Sequence, residues 1–409
     1  MDYNAKLGRD IKPLINYRND AWKCVRCGLC RMIEPQNVTR LDYIDQCPSG
    51  MMYKFELFYP AGKQDILRCL TADPPELEGP TDMLLKAIFA CTGCGSCQAF
   101  CNNMKGLQPT NSFQALKAYA VQKWGARPAH HNLIQSIINY DNPWQAPRAT
   151  RSRWTKKLPF KIKDATKEKV EVLYFPGCNA SYVPEISTTA QATARVLHNM
   201  GIDFGILGQK ERCCGSTAFR VGADDMFTEY MAKNVEQLNA LGIKTMVTAC
   251  AGCHSTFSHN YAGKLNFEVV HIVEYLERMI AEGKLKFTKE LNIKATYHDP
   301  CHIGRYSGIY DPPRRVLQAL PGVKFKEMNR IRNYSLCCGS GGGVKSAYPE
   351  MALSTAAHRL EEAKVVAEAD VVVSCCPFCE INLGEGAKAR GDGMKVVDLL
   401  DLVDQATSE

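Results

Sequence analysis

Eighteen of the twenty cysteines in this chain fall into four runs with the spacing of metal-ligand sets. Two of those runs are copies of each other. The first is Cys178, then Cys213-Cys214-Gly215, then Cys250-Ala-Gly-Cys253, and the second is Cys301, then Cys337-Cys338-Gly339, then Cys376-Pro-Phe-Cys379. Between the lone cysteine and the pair lie 34 residues in one copy and 35 in the other; between the pair and the CxxC lie 35 and 37. The copies are offset by 123, 124 and 126 residues at the three landmarks. Repetition in register marks a duplication and predicts two like half-domains. Five thiolates per half converge on one point only if something holds them there. In a cysteine-rich chain without secretory features, that something is metal rather than a disulfide framework.

The other two runs stand nearer the amino terminus. Cys24-Val-Arg-Cys27-Gly-Leu-Cys30 wraps three irons of a cubane, and Gly28 lets the backbone approach the sulfides. A Cys-Pro is expected three residues later, but Glu34-Pro35 stands there and the next Cys-Pro is Cys47-Pro48. Cys47 is the preferred fourth ligand because thiolate is the softer donor; Glu34 is the alternative, otherwise a solvated turn residue. Cys91-Thr-Gly-Cys94-Gly-Ser-Cys97-Gln-Ala-Phe-Cys101 is a complete C-x2-C-x2-C-x3-C run, with Asn102 where proline is usual. In two-cluster ferredoxins the fourth cysteine of each run serves the other cluster. The expected sets are therefore Cys24, Cys27, Cys30 and Cys101 for one cubane [4Fe-4S], and Cys91, Cys94, Cys97 and Cys47 for the other. Zinc fits poorly, since structural zinc pairs its CxxC units. Cys69 and Cys375 are left over. Cys69 reads as a small core residue, and Cys375, aligned with Ala249, as a bystander next to Cys376.

Three histidines lie beside these cysteines: His298 and His302 flank Cys301, and His254 follows Cys253. Each could ligate or carry protons; the blander reading is a hydrogen bond to a ligand. His271 aligns with Asp398 and looks structural. The run Gly339-Ser-Gly-Gly-Gly343 is neither GxGxxG nor a P-loop. It suggests a close backbone approach that turns amide N–H groups toward cluster sulfur.

The elements that must position these residues can be read coarsely. Residues 51–90 are mostly helical, broken at Pro60-Ala-Gly62, with Thr81 or Asp82 capping a helix over MLLKAIFA. A helix over SFQALKAYAVQKW leads into an irregular region containing Trp144 and Trp154, which pin it onto a neighbour or pack locally. Each repeat alternates short β-rich runs with helices, which predicts parallel sheets. Its cysteines fall where strands end, the place open α/β sheets put their ligands. The expected fold class is α+β / α/β: a helical, ferredoxin-like domain for two [4Fe-4S] clusters plus a duplicated α/β domain. The expected domains are 1–124, a basic linker over 125–168, and the two repeats over 169–285 and 286–409.

Composition narrows the function further. Between Pro147 and Val170 stand nine basic and two acidic residues, which account for the whole formal charge of +7. Such a run is usually a solvated linker, and docking onto an acidic partner is the sharper reading. No aromatic interleaving or helix-turn-helix pattern supports nucleic-acid binding. The chain lacks a signal-peptide pattern and an apolar span, which predicts a cytoplasmic protein, at most held on the inner face of a membrane through a partner. It has no flavin or nicotinamide fingerprint, so electrons must enter from another subunit.

At these residues the chain resembles a known family. The doubled five-cysteine pattern is similar to the CCG domains in the B subunit of heterodisulfide reductase. Its fusion to a two-cluster domain resembles the D subunit of that enzyme, in which the C and B subunits are joined, and FELFYPAGK after Cys47-Pro48 resembles the element found there in relatives. The resemblance covers roughly residues 20–405. It implies that Cys178, Cys213, Cys214, Cys250 and Cys253 hold one noncubane [4Fe-4S] cluster. Cys301, Cys337, Cys338, Cys376 and Cys379 would hold a second, with a disulfide split between them, so that these ten cysteines are the catalytic set. It implies partners in a redox complex, a flavoprotein or a membrane cytochrome or quinone module. The insertion before Cys47 and the residue after Cys101 depart from the family's pattern. Similar chains serve as electron relays in quinone-linked dehydrogenases, sulfate-reducer complexes and class II benzoyl-CoA reductase complexes, which is the alternative role.

Overall fold

The computed structural model describes residues 12–33, 41–77 and 79–407. Glu34 lies outside them. The front part is helical, with helices Pro48–Tyr53, Pro60–Leu70, Asp82–Phe89, Ser96–Lys105 and Pro109–Trp124. Three of these begin on proline, whose fixed φ suits the first helical turn and whose missing N–H is not needed there. Thr81 caps Asp82–Phe89, its hydroxyl accepting from the Leu84 amide at 3.1 Å. The Pro60-Ala-Gly62 stretch is therefore not a break but a helix start. Gly62 is there because a Cβ would fall 2.3 Å from the Glu56 carbonyl oxygen.

Residues 125–168 are more ordered than expected. They contain the helix Pro128–Tyr140 and a two-residue strand, β1 (Lys163–Asp164). The helix was hard to read because its buried face is His130, Ser136 and Ile137, two of them polar, so no apolar stripe marks it. Trp154 is buried edge-on to Tyr174, as a pin would be, and the exposed Trp144 donates through Nε1 to Asn179 Oδ1 at 3.1 Å.

Each repeat builds a parallel sheet. The first has β2 (Val172–Tyr174), β3 (Phe204–Ile206), β4 (Thr245–Thr248) and β5 (Glu268–His271), ordered β1-β3-β2-β4-β5. The second has β6 (Ile293–Tyr297), β7 (Val323–Phe325), β8 (Val371–Ser374) and β9 (Lys395–Asp398), ordered β7-β6-β8-β9. Without β1 the two orders are identical, and every pairing is parallel. The expected mixture of helical front and duplicated α/β repeats is the one observed. Strands β4 and β8 are buried along almost their whole length, as the central strands of parallel sheets are.

The aligned pair His271 and Asp398 does one job twice. His271 Nδ1 accepts from the Val273 amide at 3.4 Å and Asp398 Oδ1 from the Leu400 amide at 2.9 Å, each capping the helix after its sheet's last strand. The halves are clamped by Arg195 on Ser187–Asn199, which donates to Asp404 on Leu399–Thr407 at 2.9 Å. The front helices share a core with the second half, Phe89, Leu116 and Ala120 packing with Val344, Met351 and Ala352.

Candidate functional site

The front cysteines form two neighbouring nests. Cys24, Cys27 and Cys30 sit on a loop that turns through Arg26 and Gly28, both at positive φ. Arg68 ties the loop down, donating to the carbonyls of Ala21 at 2.8 Å and Cys24 at 2.5 Å. Burial, then the thiolates of Cys47, Cys101, Cys24 and Cys27, push the Cys30 thiol up to about 12. Cys101, from the helix Ser96–Lys105, and Cys47 both act on Cys30. Cys47, at the start of the helix Pro48–Tyr53, lines one small cavity with Cys91, Cys94 and Cys97. Cys30 reaches the edge of the same cavity, so the nests adjoin there.

The ten remaining cysteines of the four runs form one unbroken line in which each thiol acts electrostatically on the next. Cys178 meets Cys213, Cys213 meets Cys214, Cys214 meets Cys253, and Cys253 meets Cys250. Cys250 meets Cys376 across the two halves, and the line continues through Cys379, Cys338, Cys337 and Cys301. Cys337 also contacts Cys94, which joins the line to the second front nest. All ten line one cavity of about 280 Å³.

Backbone geometry favours thiolates at these points. The Gly215 amide faces Cys213 Sγ and the Gly339 amide faces Cys337 Sγ, each at 3.4 Å. Cys250 and Cys376 stand at the N-cap positions of the helices Ala251–Ser255 and Pro377–Arg390, without a side-chain capping bond. Hydrogen bonds from Cys213 and Cys253 pull Cys214 down to about 6, and those from Cys337 and Cys379 pull Cys338 well below its usual value. Gly177, at φ +75°, leaves its side-chain space to Cys253 Sγ, which a Cβ would meet at 3.0 Å. All-sulfur donor sets, free thiols throughout and N–H groups turned on them fit iron–sulfur ligation.

The histidines separate into roles. His298 is fully buried and its Nδ1 accepts from Arg359 Nε at 3.2 Å. That bond leaves Nε2 as the N–H side, and Nε2 has no protein partner, while one ring nitrogen lies within 4.8 Å of the Cys338 and Cys379 sulfurs. His298 is therefore placed to donate to those sulfurs rather than to ligate. Burial, then Arg359, lowers it to about 3. His302 lines the cavity with its Nδ1 4.0 Å from Cys301 Sγ. His254 turns away to Ser258 and Glu274.

Three features escaped the reading of residue types. Arg151, one of the nine basic residues expected in a solvated run, is 2% exposed. It donates to Cys178 Sγ at 3.5 Å and to Glu211 at 3.1 Å, and nothing local distinguishes it from its neighbours. In the glycine run, Gly339 and Ser340 turn their amides on the sulfurs of Cys337 and Cys338. Gly341 and Gly342 make room for the front nest, since a Cβ would lie 2.6 Å from the Thr92 oxygen and 2.5 Å from the Cys91 oxygen. Cys69 is half-buried rather than part of the core. Cys375 is fully buried behind Cys376, outside the cavity lining and near the Tyr297 hydroxyl.

The cysteine-rich (CCG) domain family matches residues 172–258 and 295–384. The chain is 36% identical to the D subunit of the dihydromethanophenazine:CoB–CoM heterodisulfide reductase of Methanosarcina mazei, covering 94% of this chain and 93% of that one. The chain belongs to the family of heterodisulfide reductase D subunits. It is an iron–sulfur oxidoreductase subunit, and relatives of this family are parts of multi-subunit redox complexes. It is also 30% identical to the EtfAB:quinone oxidoreductase of Syntrophomonas wolfei, over 78% of this chain and 46% of that one. The B subunit of the fumarate reductase (CoM/CoB) of Methanothermobacter marburgensis is 31% identical, over 79% and 62%. Among the described residues no helix is long and apolar enough to cross a membrane.

Proposed function

We propose that this chain takes electrons from a partner subunit at its front nests and delivers them to the paired cavity, where a disulfide is reduced. The observation that carries the reading is the unbroken thiol line through both halves, joined to the front nest where Cys94 meets Cys337. Four bound clusters, two cubane [4Fe-4S] in front and two noncubane [4Fe-4S] at the five-cysteine sets, would supply the one-electron carriers. Splitting RSSR′ to RSH and R′SH consumes two electrons and two protons. All ten sulfurs line the cavity, together with Trp144 and Asn179. The ligand sets are those expected from spacing, with Cys47 rather than Glu34 in the second nest, and the domain limits are 1–124, 125–168, 169–285 and 286–409. The electron donor is a flavoprotein or a membrane cytochrome or quinone module, which holds an otherwise cytoplasmic chain at the inner face of the membrane.

Anaerobic protein should contain on the order of sixteen iron atoms with matching labile sulfide. Adding the right heterodisulfide to oxidised protein should then raise a new paramagnetic signal. Colourless protein with freely alkylated thiols overturns the cluster assignment; silence with every thiol pair tested overturns disulfide reduction alone. In that second case the alternative stands, an electron relay inside a larger complex, favoured by the likeness to the quinone oxidoreductase.

A further inference from the structure

The second front nest is enclosed by four buried cations that have no carboxylate. Lys63 and Lys117 are each 2% exposed, Arg220 is 6% and Arg305 is 1%. Lys63 donates to Ser49 Oγ at 3.1 Å and to the Phe58 carbonyl. Lys117 donates to the carbonyls of Cys91 at 2.7 Å, Gly342 at 2.8 Å and Arg220 at 3.4 Å. Arg305 donates to the carbonyls of Asn333 at 2.9 Å, Cys94 at 3.3 Å and Ser335. Arg220 donates to the Tyr306 hydroxyl at 3.2 Å, and its buried Nε has no acceptor. Among the described residues none of the four meets an aspartate or glutamate. Other buried arginines do: Arg151 with Glu211, Arg314 with Asp299, and Arg330 and Arg359 with Glu362.

Desolvating a charge costs several kcal/mol unless an opposite charge meets it. Four such charges around one nest need a counter-charge, and the sulfurs are the groups at hand. Lys63 acts on Cys47, Lys117 on Cys91 and Arg305 on Cys94. The first nest is built the other way. Among the described residues its arginines meet carboxylates, Arg26 and Arg68 sharing Asp65 and Arg31 meeting Glu56.

We propose that Lys63, Lys117, Arg220 and Arg305 are a fixed counter-charge that makes the centre at Cys47, Cys91, Cys94 and Cys97 easier to reduce than the centre at Cys24, Cys27, Cys30 and Cys101. Each added electron is one more negative charge, and a nearby desolvated cation stabilises it with little screening. Electrons entering at the first nest then settle beside Cys337 rather than at the surface. The inference rests on the reading that each nest holds an iron–sulfur cluster.

Redox titration of the anaerobic whole chain, followed by paramagnetic resonance, tests it. Cys97→Ser identifies which signal belongs to the second nest; if that nest holds no iron in the unaltered chain, the cluster reading and this inference fall together. With iron present, Lys117→Met and Lys63→Met should each lower the reduction equilibrium constant of the second centre about tenfold, about 59 mV for one electron. The first centre should not move. Unchanged midpoints, or equal shifts in both centres, overturn the counter-charge and leave the cluster reading intact. Should Lys117→Met fail to hold iron, Lys117→Arg decides. Iron regained with the charge supports the proposal; iron still missing with the charge present refutes it.

Discussion

The contact between the front nest and the second half turns on a glycine, so Gly342→Ala is the sharpest test of the geometry. Gly342 has φ +64°, and a Cβ there would sit 2.5 Å from the Cys91 carbonyl oxygen and 2.9 Å from Lys117 Nζ. Neither neighbour can step aside. The carbonyl belongs to a cysteine of the nest, and Lys117 is held by three carbonyls, one of them that of Gly342 itself. Left-handed backbone costs a residue with a Cβ about 1–2 kcal/mol. Overpacking adds about 1–3 kcal/mol. Gly342→Ala should therefore destabilise the chain by about 2–5 kcal/mol. Gly242→Ala is the control, because Gly242 has φ +66° and nothing within 4 Å of its added Cβ. It should lose only the backbone component. Urea unfolding without oxygen, followed by tryptophan emission, measures both. If Gly342→Ala loses no more than Gly242→Ala, the two parts do not meet at this carbonyl and the path from Cys94 to Cys337 loses its support.

Two further outcomes are expected. Burial lowers His271 to about 4, below the unfolded value of roughly 6.5, so its stabilising contribution is present above about pH 6.5 and lost as pH falls toward 4, about 3 kcal/mol in all. His271→Asn keeps a cap for the Val273 amide but cannot take the proton, so the stability-versus-pH slope over that window should drop by one proton; an unchanged slope would place the acid sensitivity elsewhere. Arg151→Met strands Glu211 without its partner where both are 2% exposed and should cost about 3–5 kcal/mol, whereas Arg151→Met with Glu211→Met should recover most of it. Single-variant losses that simply add in the double variant would mean the pair is not coupled.

What could be read from residue types was whatever repeats locally. Strands such as Thr245–Thr248 and Val371–Ser374 are short β-rich runs leading into a CxxC, and their equivalence follows from the duplication. The match of His271 with Asp398 was legible for the same reason, and both prove to be helix caps. What stayed hidden depends on partners far along the chain. Arg151 differs from Arg148 and Arg153 only because Glu211 and Cys178 lie 60 and 27 residues away from it. Gly341 and Gly342 look like a sulfur-facing loop until Thr92 and Cys91 are brought against them. The helix Pro128–Tyr140 buries polar residues against the repeats and so carries no stripe of its own.

The duplication by itself would make two equal halves, and equal halves give an electron no reason to move one way. What separates them comes from outside the repeats. Cys94, from the front part, meets Cys337 in the second half. Arg151, from the segment before the first repeat, meets Cys178 in the first half. On the proposed path, the second half is the one next to the front nest. Cys250 and Cys376, the one thiol pair that crosses between halves, sit midway along that line. A substitution that separates them should leave electrons arriving at Cys337 and stop them short of Cys178, whereas a substitution at Cys94 should stop both. That order of failure follows from the geometry whatever the final acceptor is.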